Sequence, residues 1–371
     1  MTFYIVAGEV SGDVHAANLM KALRGADHSV RFRGVGGDHM IFQGLDCFLH
    51  IRRMNFMGLA EVLRNLFSIR NMLRDVKKDI IKCKPDAIIL VDYPGFNLQL
   101  SHYAKKHGIP CIYYISPKLW AWRSSRANII RRNVDLMLCI LPFEQDFYKH
   151  FGYKALYVGN PVPDAIEQHV YDEAVTGSLQ KDTRPVVALL PGSRKQEITQ
   201  CLPVMLDVVA RFPKYRFVIA ALDHTLSSIN DMNHSGVEVL CNKTYELLSC
   251  SSAALVTSGT ATLETALFNV PQVCCYKTSA LTYHVAKRVI RVPYISLVNL
   301  IANSPVIKEL IQDDFEVSRL SEELQQLTER GPYRETMLKA YGELKQGLGG
   351  AGASVRAADH ILAFMTDRRI K

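Results

Sequence analysis

The sequence has no apolar stretch long enough to cross a bilayer. A membrane-spanning helix needs about 20 consecutive apolar residues, and charges such as Asp92 and Arg123 interrupt every candidate segment of this 371-residue chain. Residues 1–9 also lack the basic start and the long apolar core of a secretory signal. We therefore expect a cytoplasmic protein that lies on the surface of any membrane it contacts.

Spacings that would indicate disulfides or metal sites are missing as well. The nine cysteines show no Cys-x-x-Cys spacing, and their odd number cannot pair completely within one chain. No acidic pair of the Asp-x-Asp kind accompanies a nucleotide-binding pattern. We expect reduced cysteines in the core, no metal and no cofactor.

Signatures of nucleic-acid binding are also absent. The chain contains no zinc-finger spacing and no RNA-binding aromatic motif, and its basic residues do not alternate with aromatic ones. The formal net charge of +8 still favours an anionic partner. A phosphorylated metabolite or a phospholipid headgroup fits these observations better than nucleic acid, which we do not expect as a partner.

What the sequence does contain is a regular alternation of short apolar runs with longer amphipathic segments. This alternation is typical of βα units around a parallel sheet, so the fold class is α/β. The candidate strands are residues 3–7, 87–91, 111–115, 136–141 and 155–158 in the first half, and 186–190, 216–221, 237–241, 253–257 and 272–276 in the second. The repetition predicts two Rossmann-like domains that face a cleft.

Two segments mark the domain boundaries. Residues 160–184 are polar and contain prolines, which predicts a connection between domains. Four glycines between residues 347 and 352 precede residues 354–366, whose apolar side chains have helical spacing. We predict domains at 1–160 and 161–345, followed by a helix within 346–371 that crosses back onto another domain.

Two loops of the second half have the composition of phosphate sites. Gly192, Ser193 and Arg194 follow a strand and open a helix, so they offer amide, hydroxyl and guanidinium donors to a phosphate. A plain surface loop is the alternative. The turn of Ser258, Gly259 and Thr260 also opens a helix, whose free amides suit a diphosphate.

Acidic side chains accompany three of the strand ends. Glu264, one turn inside its helix, could accept ribose hydroxyls or could simply complement the helix dipole. Asp92 ends a central strand, where ligands bind in doubly wound sheets, and could take a proton from an attacking hydroxyl. An Asx-type turn before Pro94 is the alternative. Ser11 or Asp13 could likewise cap the first helix.

Eight motifs resemble those of the lipid-A-disaccharide synthases and cover residues 4–310. They occur in the order Gly8-Glu9-x-Ser11-Gly12-Asp13, Met57-Gly58-x-x-Glu61-Val62, Asp92-x-Pro94-x-Phe96-Asn97, Ser116-Pro117-x-x-Trp120-Ala121-Trp122-Arg123, Leu141-Pro142-Phe143-Glu144, Leu190-Pro191-Gly192-Ser193-Arg194, Ser258-Gly259-Thr260-Ala261-x-x-Glu264 and Ser296-Leu297-x-Asn299-Leu300. The Trp120–Arg123 block together with residues 296–300 is particular to this family.

The resemblance implies a GT-B fold and an inverting glycosyltransferase. The implied reaction moves 2,3-diacylglucosamine from UDP to the 6-hydroxyl of 2,3-diacylglucosamine 1-phosphate, giving a β-1,6 disaccharide and UDP. It implies an acceptor domain at 1–160 and a nucleotide-sugar domain at 161–345. The implied roles are general base for Asp92, nucleotide contacts for Arg194 and Glu264, and acceptor or active-site positions for Glu9, Ser11, Asp13 and Asn299.

The sequence departs from the family pattern at two positions. Gly95 replaces a second acid found in many members, which leaves Asp92 as the base, and Asn160 replaces a residue that is often histidine. Alternative functions are another GT-B enzyme acting on UDP-hexosamines, namely a lipid-carrier transferase or a UDP-N-acetylglucosamine epimerase, and a non-catalytic nucleotide-sugar binding module. A homodimer is left open.

Residues 54–78 are the expected membrane-docking surface. They combine a broad apolar set, including Phe56, Met57, Phe67 and Met72, with five basic residues. Such a segment can insert apolar side chains at the headgroup boundary while its cations contact anionic lipid. The alternative is a helix packed on the first sheet. Peripheral association with the inner membrane of a Gram-negative bacterium follows from the resemblance.

Overall fold

The computed structural model describes residues 1–54, 66–232, 236–290 and 292–370, and the chain divides into two compact units. Unit 1 comprises Met1–Pro161 and Ala351–Lys371, and unit 2 comprises Val162–Gly350. Each unit contains one parallel sheet with helices packed on its faces. The predicted α/β class is confirmed.

The sheet of unit 1 has the strand order β3-β2-β1-β4-β5-β6-β7, with every neighbouring pair parallel. Its strands are β1 (Thr2–Ala7), β2 (Arg31–Gly36), β3 (Leu45–His50), β4 (Ala87–Val91), β5 (Cys111–Tyr114), β6 (Leu136–Cys139) and β7 (Leu156–Tyr157). The chain order reverses between β1 and β4, where Ala7 pairs with Val91. Ligands of doubly wound sheets bind at such a switch point, beyond the carboxyl ends of the strands.

Helices connect these strands and cover both faces of the sheet. They are α1 (Val10–Ala26), α2 (Asp38–Phe42), α3 (Leu66–Cys83), α4 (Pro94–Lys106), α5 (Ala127–Asn133) and α6 (Glu144–Lys149), with 3-10 turns at Ile51–Arg53 and Ser124–Arg126. Alternate residues of β1 enter opposite cores, Phe3 and Ile5 on one face and Tyr4 and Val6 on the other. Burial on both faces explains the almost wholly apolar strands.

Unit 2 repeats this topology with the strand order β10-β9-β8-β11-β12-β13, again parallel. The strands are β8 (Val186–Leu190), β9 (Arg216–Ala221), β10 (Glu238–Cys241), β11 (Ser251–Thr257), β12 (Gln272–Tyr276) and β13 (Glu309–Ile311). The helices are α7 (Pro161–Glu167), α8 (Glu173–Lys181), α9 (Lys195–Val209), α10 (Asp223–Asn230), α11 (Thr244–Ser249), α12 (Thr260–Leu267), α13 (Ala280–Val289), α14 (Leu297–Ala302), α15 (Val317–Thr328) and α16 (Pro332–Leu348), with a 3-10 turn at Gln312–Asp314. Its switch point lies between β8 and β11.

The sequence patterns missed β2, β3 and β13. Charged side chains interrupt the first two, with Arg31 and Arg33 in β2 and Asp46 in β3, because this end of the sheet is partly exposed. The polar segment that we interpreted as a connection contains α7 and α8, and α8 packs on unit 2 through the buried Leu179. All nine cysteines are free; five are buried in the core, and Cys47, Cys83, Cys241 and Cys250 are only partly buried.

The last helix, α17 (Ala353–Ile370), belongs to unit 1 although it follows unit 2 in the chain. Gly349, Gly350 and Gly352 have φ values of 76°, 69° and 96°, the left-handed region that glycine adopts without a side-chain clash. Ala358 and Ile361 of α17 are buried in the same cluster as α1 residues. The terminal helix therefore returns to the first sheet.

Candidate active site

Asp92 lies directly after β4, in a turn that two buried side chains hold in place. Asp92 and Tyr93 have φ values of 42° and 47°, and each such non-glycine residue costs about 1–3 kcal/mol. The Asn97 amide donates to the carbonyls of Val91 and Asp92 at 3.1 and 2.8 Å, and the Tyr113 hydroxyl donates to the Asp92 carbonyl at 2.6 Å. These bonds stabilise the strained turn and hold the Asp92 backbone in place.

The environment of Asp92 suits a general base. Burial, followed by the negative charge of Glu9, raises the pKa of Asp92 to about 6, while the cation of Lys118 opposes this shift. A carboxylate with this pKa is ionised at neutral pH and is a better proton acceptor than an ordinary aspartate. Asp92 is therefore ready to accept a proton at neutral pH.

The loop after β1 approaches the Asp92 turn closely. A Cβ on Gly8 would lie 2.2 Å from the Tyr93 ring, so only glycine fits at this position. Glu9 and Ser11 are half-buried and exposed, respectively, at the start of α1. Glu9 also lines a cavity of about 170 Å³ together with His39, His50 and Arg52. The structure thus brings Glu9 and Ser11 to the same sheet edge as Asp92.

Asp13 lines the same cavity as Glu9 and also holds the neighbouring backbone in place. Its carboxylate is buried and accepts the amides of Gly37, His39 and Met40 at 2.6, 3.0 and 3.2 Å. These bonds tie the first turn of α1 to the start of α2. Asp13 therefore organises the edge of the sheet beside this cavity.

The loop after β5 is anchored by Glu144. This buried carboxylate accepts the Trp120 indole N–H at 3.1 Å and the amides of Ile140 and Leu141. Burial raises the pKa of Glu144 to about 7, although these hydrogen bonds oppose the shift. The anchored loop carries the exposed Lys118, which affects the Asp92 carboxylate electrostatically.

The predicted phosphate-binding loop of unit 2, called the phosphate loop and defined as residues 192–194, lies between β8 and α9. Gly192 has a φ of 112°, and Arg194 is the amino-terminal cap residue of α9 with a side chain that is 67% exposed. The Ser193 amide and the Arg194 guanidinium both donate to Glu197, each at 3.2 Å. Sequence reasoning placed the donors here but did not anticipate this acidic partner.

The second nucleotide loop connects β11 to α12. Gly259 has a φ of 154°, and the Ser258 hydroxyl donates to the Ile295 carbonyl at 2.9 Å, while Thr260 begins α12. Glu264 accepts the Tyr245 hydroxyl at 2.8 Å, and burial raises its pKa. Both loops predicted to bind the nucleotide therefore lie at the switch point of the second sheet.

Asn299, for which the resemblance implied an active-site position, is held in a buried hydrogen-bond network. It is 1% exposed, and its amide nitrogen donates to the Ile307 carbonyl and to Glu309, both at 2.9 Å. Its amide oxygen accepts the Ile307 N–H at 2.9 Å. Glu309 also accepts hydrogen bonds from the amides of Ile295 and Ser296. The network therefore holds the segment whose Ile295 carbonyl accepts the Ser258 hydroxyl.

Several site residues were missed by sequence reasoning. Asn97, Lys118 and Glu144 lie inside the recognised motifs, so their positions in those motifs were an available signal. Tyr245 and Glu309 lie outside every motif and are found from the contacts alone. Asn160, the departure from the family pattern, is buried and donates to the Ile140 carbonyl at 3.1 Å.

The described residues include neither a metal-binding cluster nor a membrane-spanning helix. No group of three or more His, Cys, Asp or Glu side chains in the described ranges is arranged to hold a metal ion. Across the same ranges, no helix combines the length and apolar character needed to cross a bilayer.

Comparison with known proteins gives extensive matches. The family model described as "Lipid-A-disaccharide synthetase" matches residues 3–349. The lipid-A-disaccharide synthase of Myxococcus xanthus is 39% identical over 379 residues, covering 99% of this chain and 98% of its own. That of Coxiella burnetii is 34% identical, covering 97% and 98%.

Solved structures are similar in fold at much lower identity. The kitacinnamycin glycotransferase aligns with a TM-score of 0.67 at 13% identity, covering 98% of each chain. The UDP-GlcNAc 2-epimerase of Neisseria meningitidis aligns with a TM-score of 0.64 at 13% identity, covering 99% of this chain and all of its own. The fold is that of the GT-B glycosyltransferases.

Proposed function

The chain belongs to the lipid-A-disaccharide synthase family, and we propose that it transfers 2,3-diacylglucosamine from UDP to the 6-hydroxyl of 2,3-diacylglucosamine 1-phosphate. The products are the β-1,6 disaccharide 1-phosphate and UDP, with inversion at the anomeric carbon. The observation that carries the residue assignment is Asp92, whose carboxylate has a pKa of about 6 at the switch point of unit 1.

The proposed chemistry is a single displacement. The acceptor oxygen attacks the anomeric carbon as the bond to UDP breaks, and the hydroxyl proton passes to the Asp92 carboxylate. Burial and the Glu9 charge make this carboxylate more basic, because both disfavour its ionised form. General-base catalysis of this kind typically contributes about 10²–10⁴ in rate.

The leaving UDP carries the charge that develops as the glycosidic bond breaks. In our proposal the Ser193 amide, the Arg194 guanidinium and the free amides at the start of α12 stabilise its diphosphate. Lys287 and Arg288 are exposed on α13 and offer further positive charge. Glu264 accepts hydrogen bonds from the ribose hydroxyls. In this proposal unit 2 binds the nucleotide and unit 1 binds the acceptor sugar.

Product analysis tests this function against its alternatives. Mass spectrometry after incubation with both acylated glucosamine substrates should detect the disaccharide 1-phosphate and UDP. An epimerase would change the UDP-sugar without an acceptor, and a lipid-carrier transferase would require a polyprenyl acceptor. A binding module would leave both substrates intact, and any of these three results would contradict the proposal.

Removing the nucleotide contacts should weaken UDP binding in two distinguishable ways. We expect Arg194→Ala to reduce UDP affinity about 10- to 100-fold without changing uridine affinity, because a charge-assisted phosphate contact is lost. Glu264→Gln should weaken the binding of both UDP and uridine, because it alters the group that accepts hydrogen bonds from the ribose hydroxyls. Calorimetry measures both affinities, with Arg184→Ala as the control because Arg184 is also exposed and paired with an acid of unit 2. If both variants bound UDP with unchanged affinity, the nucleotide-binding site could not include Arg194 and Glu264.

We also propose peripheral membrane association through residues 54–78. Residues 55–65, including Phe56, Met57, Leu59, Val62 and Leu63, lie outside the described residues. Within α3, Leu73, Val76 and Ile80 are buried against the sheet, whereas Phe67 is 82% exposed. Arg70 and Arg74 are exposed at helical spacing from Phe67, so one face of α3 combines an aromatic ring with positive charge.

Phe67→Ser should reduce sedimentation with anionic liposomes while leaving the unfolding temperature nearly unchanged. The ring makes little contact with the core, so its loss affects lipid insertion more than folding. Phe42→Ser is the matched control, because Phe42 is 87% exposed on α2. Met72 is half-buried and packs on the core, so Met72→Ser should lower the unfolding temperature and is not used in this test. Equal sedimentation of the Phe67 variant and the unmodified chain would argue against docking through α3.

A further inference from the structure

The Glu197 side chain occupies the donors that the proposed nucleotide site would offer to a phosphate. Its Oε2 atom accepts the Ser193 amide and its Oε1 atom accepts the Arg194 guanidinium. A Cβ on Gly192 would lie 2.6 Å from Oε2, so the carboxylate fills the space above the glycine. The Glu197 side chain is only 17% exposed, whereas that of Arg194 is 67% exposed.

The position of Glu197 in the chain favours this arrangement. It lies in the first turn of α9, a helix of 15 residues, where the helix dipole attracts a negative charge. The turn requires the left-handed φ of 112° at Gly192, which directs the next amide toward the helix. A carboxylate and a phosphate compete for such a cradle because both are anions that accept the same N–H groups.

We propose that Glu197 is an internal anion that fills the phosphate loop of the ligand-free chain and is displaced when the diphosphate binds. This inference rests on the proposed function, because it takes UDP as the ligand of residues 192–194. Displacement of Glu197 lowers the net affinity for UDP, because the free energy of its two hydrogen bonds is subtracted from that of the hydrogen bonds that the diphosphate forms. Return of the carboxylate to the loop then favours release of the product UDP.

The test compares nucleotide binding to the full chain with and without the charge at this position. Glu197→Gln keeps the size of the side chain but removes its negative charge. We expect UDP to bind about tenfold more tightly to this variant, which corresponds to about 1.4 kcal/mol, while uridine affinity stays the same. Asp207→Asn is the matched control, because Asp207 is an exposed acid on the same helix.

A second variant separates competition from positioning. Glu197→Ala removes the side chain, so UDP should again bind more tightly than to the unmodified chain if the carboxylate only competes. Combining Glu197→Gln with Arg194→Ala should reduce the gain, because one of the contested donors is absent. Thermal unfolding of each variant verifies that the comparison is between folded proteins.

The outcomes distinguish the role of Glu197 from the existence of the nucleotide site at residues 192–194. Weaker or unchanged UDP binding by the folded Glu197→Gln chain would overturn the internal-anion role, because the carboxylate would then orient Arg194 or have no effect. Failure of the unmodified chain to bind UDP would instead contradict the proposed nucleotide site itself, and the inference with it. Tighter UDP binding with unchanged uridine binding supports both.

Discussion

Asp92→Asn is expected to reduce turnover by about 10²–10⁴-fold, because the amide cannot take the proton of the attacking hydroxyl. UDP affinity should remain nearly unchanged, since the base is needed when the acceptor reacts and the proposed nucleotide contacts lie in unit 2. The substitution keeps the shape of the side chain. The carbonyl bonds from Asn97 and Tyr113 involve the backbone of residue 92 and are also retained.

Steady-state turnover with both acylated substrates and UDP calorimetry together measure this effect. Asp359→Asn is the control, because it makes the same chemical change at an exposed position on α17, outside the proposed docking segment. Full activity of Asp92→Asn would refute the assignment of the base. Glu9 would then be the next acid to test, because it lies at the same sheet edge.

The pH dependence of the unmodified chain should carry the signature of the same group. The pKa of Asp92 is raised to about 6, so the reactive carboxylate predominates above this pH and is lost below it. We therefore expect kcat/KM to fall as the pH decreases through about 6. Glu9→Gln should move this limb to lower pH, and Lys118→Met should move it to higher pH, because the two charges shift the pKa of Asp92 in opposite directions.

The sequence predicted much of the fold because burial on both faces gives parallel strands a clear signature. β4 and β8 are entirely apolar and have the predicted bounds. β2 and β3 lack this signature, because they lie at the partly exposed end of the sheet and carry charges. Whether a strand lies near the edge of the sheet depends on the strand order, which cannot be read from a local sequence pattern.

The same distinction applies to the candidate site. The loops around Asp92 and Gly192 were predictable because each follows the end of an apolar strand and leads directly into a helix. The hydrogen-bond partners of Asp13 and Asn299 could not be predicted from the sequence. His39, a partner of Asp13, is distant from it in the chain, and Glu309, a partner of Asn299, lies outside every motif. A polar residue in a motif can bind a ligand or hold the backbone that does so, and only its hydrogen bonds distinguish these roles.

Asn299→Asp provides the strongest test of this structural assignment. The introduced carboxylate cannot donate to the Ile307 carbonyl, and it would meet the Glu309 carboxylate where a 2.9 Å hydrogen bond now exists. We expect a loss of about 3–5 kcal/mol in the free energy of unfolding, as for other unpaired buried charges. For a domain of this size the unfolding temperature should fall by about 10 °C.

Thermal unfolding of this variant is compared with that of Asn303→Asp, which makes the same change at an exposed position after α14. The difference between the two variants should shrink at lower pH, because a protonated carboxyl can again donate a hydrogen bond to Glu309. A side chain that acts directly on the substrate would behave differently. An Asn299→Asp chain that keeps its unfolding temperature but loses turnover would show that Asn299 contacts the reacting sugars, and the network around Glu309 would then be secondary to catalysis.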